Sequence, residues 1–461
     1  MIRELSSDGT APRSATVKRG RTTARNGHAV VLGAGFAGLV TAGALAEFYQ
    51  RVTVVDRDPA PAPGEYRRGV PQGRHAHNLL PGGARTIEEI FPGILGEMAA
   101  DGAVLADMLV GYRFHFAGRE LPQVPIGAEA LQATRPFYEH HLRRRLLGHD
   151  GVRLLLGTDI VGLVPDDARA RITGVRIMRN APGSSEDTLA ADLVVDAMGR
   201  AGRTPAWLEQ LGYPRPEEDR VGIDVAYASR IIRLTPEGTE RAGYLVGGDI
   251  KGIPRGILLL AVEDGQHMLT LTGSGPENRP PADEAGFTDF LATAAPPDII
   301  QAVLAAESLG AVASYRFPTS TWRHYERLRR FPEGLLVTGD ALSCLNPLYA
   351  QGLTVAAMEA AALRRCLARG RHDLSRRFFA AAASVVAGPW QMTASGDLPE
   401  GSRTTAARLQ AALMSRVTTA ATRDGAVAVQ LGRVIAMLDP PTSFMRPRVL
   451  WGVLKNGAAA A

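Results

Sequence analysis

His28-Ala-Val-Val-Leu-Gly33-Ala-Gly35-Phe-Ala-Gly38 decides how this chain is read. The run His28–Leu32 is short and apolar, as a buried parallel strand should be. Gly33 then permits a sharp turn. Gly35 has no Cβ, so a pyrophosphate can come close to the backbone, and Gly38 lets the following helix, Phe36 to Leu45, pack tightly on the sheet. The start of that helix presents free N–H groups and a positive dipole end. A second strand, Val52–Val55, ends at Asp56, where a ribose-binding carboxylate belongs.

Two later segments repeat the pattern of a strand delivering an acid and glycines. Leu193–Val195 runs into Asp196-Ala-Met-Gly199-Arg200, a turn that can bring the chain close beside a ligand. Leu335–Thr338 runs into Gly339-Asp340, followed by Asn346-Pro347, Gln351-Gly352 and an Ala-rich helix from about Leu353 to Leu367. A carboxylate suits a ribityl hydroxyl, and helix N–H groups suit an electron-rich carbonyl. Each of these later segments alone reads as an ordinary crossover. In this order they describe one dinucleotide site built from three distant stretches, and FAD is the dinucleotide they suggest.

The remaining composition sets limits. At 461 residues, with 45% hydrophobic and 21% charged, the chain suits a soluble enzyme of two or three domains. No run is long enough to span a bilayer. Arg3, Arg13, Lys18, Arg19, Arg21 and Arg25 make residues 1–27 a basic segment without a signal-peptide core, read as a disordered tail with no nucleic-acid role. Two cysteines, Cys344 and Cys366, offer neither a disulfide framework nor metal-ligand spacing, which fits a reducing cytoplasm.

The three motifs resemble those of the class A flavoprotein monooxygenases, the p-hydroxybenzoate hydroxylase fold, over roughly residues 28 to 370. Within that group, Arg67-Arg-Gly-Val-Pro-Gln-Gly-Arg-His-Ala-His77 looks like the matching segment of bacterial polyether-pathway polyene epoxidases. The resemblance implies that Gly33, Gly35 and Gly38 hold the pyrophosphate, Asp56 the adenosine ribose, and that Arg57 lies at the adenine end. It implies that Arg135 reaches the phosphates or ribityl chain, that Asp196 and Gly199 sit near the cofactor, and that Asp340 binds the ribityl chain. Pro347, Gly352 and Leu353 would line the isoalloxazine. Arg67 and Arg68 have an electrostatic reason to lie near a pyrophosphate or a reduced flavin. One departure is Ala350, where the family usually carries glycine.

The fold class expected is α/β. A Rossmann-like FAD-binding domain (28–205 and 321–372) would enclose an inserted, mostly antiparallel substrate sheet (206–320), with a helical region at 373–461. The activity implied is epoxidation of alkenes on a hydrophobic polyketide-like substrate, as in antibiotic biosynthesis, through a C4a-hydroperoxyflavin. NAD(P)H, or a separate flavin reductase, would deliver the electrons. The alternatives are a non-redox polyene cyclase, which Ala350 favours, and a flavin-dependent reductase or desaturase. Catalytic candidates are few. His75 could move a proton, although a loop whose polar side chains satisfy backbone and phosphate is the favoured reading, and Arg68 is the other candidate. Tyr112, Phe114, Phe116, Tyr227 and Tyr244 could line a pocket, but sheet core is the commoner fate of such residues. No metal is expected.

Overall fold

A computed structural model of the chain describes residues 26–116, 119–235, 242–246, 254–397 and 405–457. The basic tail expected at residues 1–27 therefore lies almost wholly outside the described residues.

Strand β1 (His28–Leu32) sits at the centre of a five-stranded parallel sheet. On one side it pairs with strand β2 (Arg51–Val55) and then Val152–Leu155. On the other it pairs with Leu193–Asp196 and then Leu335–Val337. The strands are apolar because they are buried: the helix Phe36–Ala46 packs on them, and the antiparallel strand Ile172–Arg179 adds Ile172, Val175 and Ile177 to the same core. Register brings the three motif strands level at their carboxyl ends, with Leu32 opposite both Asp196 and Val55, and Asp196 opposite Val337. Helix α1 (Phe36–Ala46) packs against this sheet and against the Ala-rich helix Gly352–Ala368.

A nine-stranded sheet forms the second layer, centred on the long strand Glu218–Arg233, which pairs antiparallel with Ala313–Arg323 and His267–Ser274. The strand Arg255–Ala261 joins His267–Ser274 through a turn in which Asp264 and Gly265 both take positive φ. This sheet is not confined to 206–320. Tyr112–Phe116 and Arg119–Glu120 supply its far edge, with Tyr112–Phe116 lying parallel to Gly243–Val246. The first FAD segment, expected to supply part of the substrate-facing surface, thus donates two strands to this sheet.

The helices Glu284–Ala294 and Pro297–Leu304 cover one part of this sheet. Asp283 caps the former by accepting from the Gly286 amide. Further helices at Leu374–Asp397, Thr405–Ala421, Gly425–Ile435 and Pro447–Asn456 make the C-terminal region. No helix among the described residues is long and apolar enough to cross a membrane.

Candidate functional site: a dinucleotide cleft with an aromatic wall

The glycine loop is fixed by contacts that leave no room for side chains at two of its three glycines. Gly33 has φ +102°, and a Cβ there would lie 2.7 Å from the Ala197 carbonyl oxygen. A Cβ on Gly38 would lie 1.9 Å from the Gly33 carbonyl oxygen, so α1 approaches β1 as closely as the motif requires. Gly35 differs. Its Cβ would meet only the Arg135 guanidinium and the Glu139 carboxylate, at 3.7 and 3.8 Å.

The three motifs do converge. A Cβ on Gly339 (φ +63°) would press on Ala37 of α1 at 2.7 Å, and a Cβ on Gly199 (φ +69°) would face Asp340 at 3.9 Å. Positive φ at both positions is the conformation glycine adopts without penalty. Asp340 is partly open to the cleft, with Arg135, Arg200, Arg323 and the Cys344 thiol around it. Desolvation pushes its carboxyl above the ordinary range against the pull of those cations.

At the start of α1 the chain builds an ion cluster. Asp56 accepts from the Ala34 amide at 2.6 Å and from the Asp58 amide at 2.8 Å. Arg67 donates to the Ala34 carbonyl at 2.7 Å and stands 3.3 Å from Asp56, 3.7 Å from Asp58 and 3.6 Å from Glu139. Arg135, which opens the helix Arg135–Leu147, donates to Glu139 at 2.7 Å. Glu139 in turn accepts from the Phe36 amide at 3.2 Å. Glu139 and Asp58 escaped the sequence reading, since an acid inside a helix or a loop carries no signal of what it will face.

These residues fit a bound dinucleotide. Arg67 Nε and Arg143 Nη1 are buried and make no hydrogen bond among the described residues; they stand 3.6 and 3.9 Å from the Glu139 carboxylate, close enough for ion pairing while leaving each N–H able to donate to a bound anion. The first-turn amides beyond Phe36 have no intrahelical acceptor either. A cleft of about 630 Å³ opens alongside, lined by Arg57, Asp58, Tyr66, Arg67, Arg68, Asp159 and Asn180. Arg57 and Arg68 are exposed there. Arg68, a catalytic candidate from the sequence, lines this outer cleft.

Two further expected site residues have buried side chains, Asp196 and Leu353. Asp196 is fully buried and turned into its own loop, where it accepts from the Thr204 hydroxyl at 2.6 Å and the Met198 amide at 2.9 Å. It shapes the turn that carries Gly199 and does not face the cleft. Leu353 packs its side chain into the main core, so its contribution to a flavin would come from backbone alone. Pro347 opens a short 3-10 turn, and Gly352 begins the helix Gly352–Ala368 with open space where a Cβ would be. Between them Ala350 takes φ +53°, ψ +23°. The left-handed turn that glycine normally supplies is kept, at a cost of about 1 kcal/mol for the methyl group.

Beyond Asp340 stands an aromatic wall from the second sheet. Tyr227, Phe317 and Cys344 form a small buried cluster with Val225, flanked by Tyr315 and Leu348. Arg200 of the second motif donates to the Tyr315 hydroxyl at 3.0 Å and lies 4.8 Å over the Phe317 ring. The His75 ring sits between Tyr227 and Tyr315, at 5.8 and 5.6 Å. Its Nδ1 pairs with the Ser229 hydroxyl at 2.8 Å, and Ser229 pairs with Thr270 at 2.6 Å. Nε2 is buried without a partner among the described residues. Burial, helped by Arg74, lowers the His75 pKa to about 4, so the ring is neutral near pH 7. His75 therefore has a better claim than the sequence suggested. Tyr112 and Phe114 are instead core against the C-terminal helices, and Tyr244 is core beneath the helices at 284–304. The side chain of Phe116 lies outside the described residues.

One buried acid behind the site was also missed. Glu359, in the middle of the Ala-rich helix, accepts from the Thr338 hydroxyl at 2.7 Å and the Gly339 amide at 2.6 Å. Burial raises its pKa to about 7. The folded state thus holds this proton more tightly than the unfolded chain. The stability so gained is full below about pH 4.5 and is lost as pH rises through 7. Glu359→Gln should leave stability nearly unchanged at pH 5 and raise it by about 3 kcal/mol at pH 8. Urea denaturation at the two values checks this, and a difference independent of pH would refute it.

Comparison with known proteins agrees with this architecture. The chain is 36% identical to Protein Rv3254 of Mycobacterium tuberculosis (strain ATCC 25618 / H37Rv) over 398 residues, 82% of each protein. It belongs to the Rv3254 family. Residues 28–67 of this family member match the model for pyridine nucleotide-disulphide oxidoreductases. Its fold is that of known flavoproteins. It is similar to the flavin-dependent brominase Bmp2 (TM-score 0.65, 15% identity, covering 93% of this chain and 98% of that one). It is also similar to PqsL, a probable FAD-dependent monooxygenase from Pseudomonas aeruginosa (TM-score 0.60, 17% identity, 80% and 96%). A flavoprotein/dehydrogenase from Cytophaga hutchinsonii aligns with a TM-score of 0.65 at 16% identity, covering 92% and 96%.

Proposed function

We propose that this protein is an FAD-dependent monooxygenase that acts on an apolar, alkene-bearing substrate, most closely an epoxidase of polyketide-like polyenes. One observation carries the reading. Three separate glycine turns meet at the level carboxyl ends of a parallel sheet, directly beside a wall of aromatic side chains. The first gives a dinucleotide its seat and the second gives an apolar substrate its surface.

Gly35, Arg67, Arg135 and Arg143 would hold the pyrophosphate, Arg57 and the outer cleft the adenosine, and Asp340 the ribityl chain, with Pro347 and Gly352 at the ring. Bound FAD would supply two-electron redox chemistry and the activation of dioxygen. The chain's own part is placement. Tyr227, Tyr315, Phe317 and Leu348 exclude water and orient an apolar chain. Arg200, fixed on Tyr315, places positive charge near the ring. His75, held by Ser229, offers a neutral nitrogen able to hold a proton at Nε2. No carboxylate pair or activated nucleophile stands among the described residues of this wall, which suits a reaction whose oxidant is the cofactor's. Ala350 keeps the left-handed turn but adds a methyl group where the flavin edge would lie, which is the feature behind the alternative reading, a non-redox polyene cyclase.

The test begins with colour. The purified protein should carry FAD, bleach under nitrogen with NADPH or with NADH plus a flavin reductase, and incorporate an atom of isotopically labelled dioxygen into a linear polyene fatty acid probe. Bound flavin that none of these donors reduces would overturn the oxygenase, and a protein that refuses FAD would overturn the whole reading.

A further inference from the structure

Two segments of this chain carry an excess of positive charge, residues 1–27 and the C-terminal helices. Residues 405–457 hold seven cationic side chains (Arg408, Arg416, Arg423, Arg433, Arg446, Arg448 and Lys455) against two acids, Asp424 and Asp439. The whole chain has 52 Lys and Arg against 47 Asp and Glu, so everything outside this segment balances at 45 of each. The segment carries +5 of its own, beside the +4 of residues 1–27.

Its last helix, Pro447–Asn456, contains no acid and is two-faced. Val449, Gly452 and Val453 face inward onto the neighbouring helices. The outer face presents Trp451, 69% exposed, and Leu454, 57% exposed, with Met445 just before the helix at 61%. Arg448 and Lys455 share that face by helical spacing (i, i+3, i+7 with Trp451) and are exposed. Neither has a carboxylate partner among the described residues. Leu409 and Leu413, on the adjoining helix Thr405–Ala421, are also exposed. Three large apolar side chains left in water with two unpaired cations between them are not ordinary surface.

The geometry points to an anionic lipid bilayer as the occupant of this face: the helix lies flat on the membrane surface, with Trp451, Leu454 and Met445 in the acyl boundary and Arg448 and Lys455 among the headgroups. That combination of an exposed tryptophan, aliphatics and cations on a short helix is what an interfacial anchor requires. A nucleic acid would satisfy the charge and leave the apolar side chains in water. A second copy docked symmetrically would set Arg448 and Lys455 against themselves. The inference does not depend on the flavin reading.

Sedimentation of the full chain with vesicles tests it. With vesicles of phosphatidylcholine containing about one-third phosphatidylglycerol, the protein should pellet at low salt, release as salt rises, and stay in solution with pure phosphatidylcholine. Trp207 and Trp390 are buried and Trp322 partly so, so a blue shift of tryptophan emission should come from Trp451 and vanish in Trp451→Phe. Trp451→Ala/Leu454→Ala should weaken partitioning at least about tenfold. Arg448→Gln/Lys455→Gln should weaken it about fivefold per charge removed. Circular dichroism melts should match the unmodified protein, since all four side chains are exposed. Failure to pellet with anionic vesicles would overturn the inference. So would binding insensitive to these variants yet lost in Arg19→Gln/Arg21→Gln/Arg25→Gln, which would give the role to the N-terminal segment. Dimers in sedimentation velocity that Trp451→Ala dissolves would assign the face to self-association instead.

Discussion

Gly38→Ala is expected to be a severely damaging single-atom addition at the dinucleotide loop, and Gly35→Ala its instructive opposite. At Gly38 the new methyl would overlap a backbone carbonyl at 1.9 Å. That oxygen belongs to the turn that β1 and α1 share, so relief requires the helix to move away from the sheet. We expect a loss of about 3 kcal/mol or more, a melting transition lowered by many degrees, and no retained flavin. At Gly35 the backbone (φ −77°, ψ 178°) suits any residue, and the methyl would have ordinary contacts at 3.7 and 3.8 Å. Gly35→Ala should melt like the parent yet bind FAD at least about tenfold more weakly, because its Cβ stands where a phosphate would approach. Thermal melts with FAD titration on the two variants separate folding from binding. Equal affinity for FAD in Gly35→Ala and the parent would remove the pyrophosphate from this loop.

Arg67→Met is expected to be nearly as costly for an electrostatic reason. Arg67 stands among Asp56, Asp58 and Glu139 with a side chain only 7% exposed. Methionine fills most of the volume but leaves three carboxylates facing one another and the Ala34 carbonyl without its donor. Removing one member of such a buried network costs about 3–5 kcal/mol. Arg67→Lys should recover part of this, since charge returns without the two-pronged geometry. Urea denaturation should rank the parent first, Lys second and Met last. A Met variant as stable as the parent would mean that water already screens the cluster.

Much of the site was legible because steric demands leave few residue choices. Gly33, Gly38, Gly199 and Gly339 sit where a side chain clashes or φ is positive, and spacing alone placed them. The Ala-rich helix Gly352–Ala368 was readable for similar local reasons. What escaped was decided by partners far along the chain. Glu186–Ala190 is a polar strand that exists because Ile172–Arg179 pairs with it, and it carries no apolar alternation to announce it. Glu139 and Glu359 lie within helices and look solvated until the chain folds α1 and Gly339 against them. Asp196 had the right position for a ligand, but Thr204, eight residues on, takes its carboxylate. The partners of His75, Ser229 and Thr270, belong to strands more than 150 residues away.

The parallel seam between Tyr112–Phe116 and Gly243–Val246 has a consequence for anyone wishing to cut this molecule apart. Excising 206–320 as a module would strip the sheet of its border and bare a row of unsatisfied peptide groups, an invitation to aggregate. The half left behind would lose the surface that Tyr112 and Phe114 help to bury. Chimaeras with relatives must therefore exchange interleaved pieces together, and the two layers should unfold as a single cooperative unit.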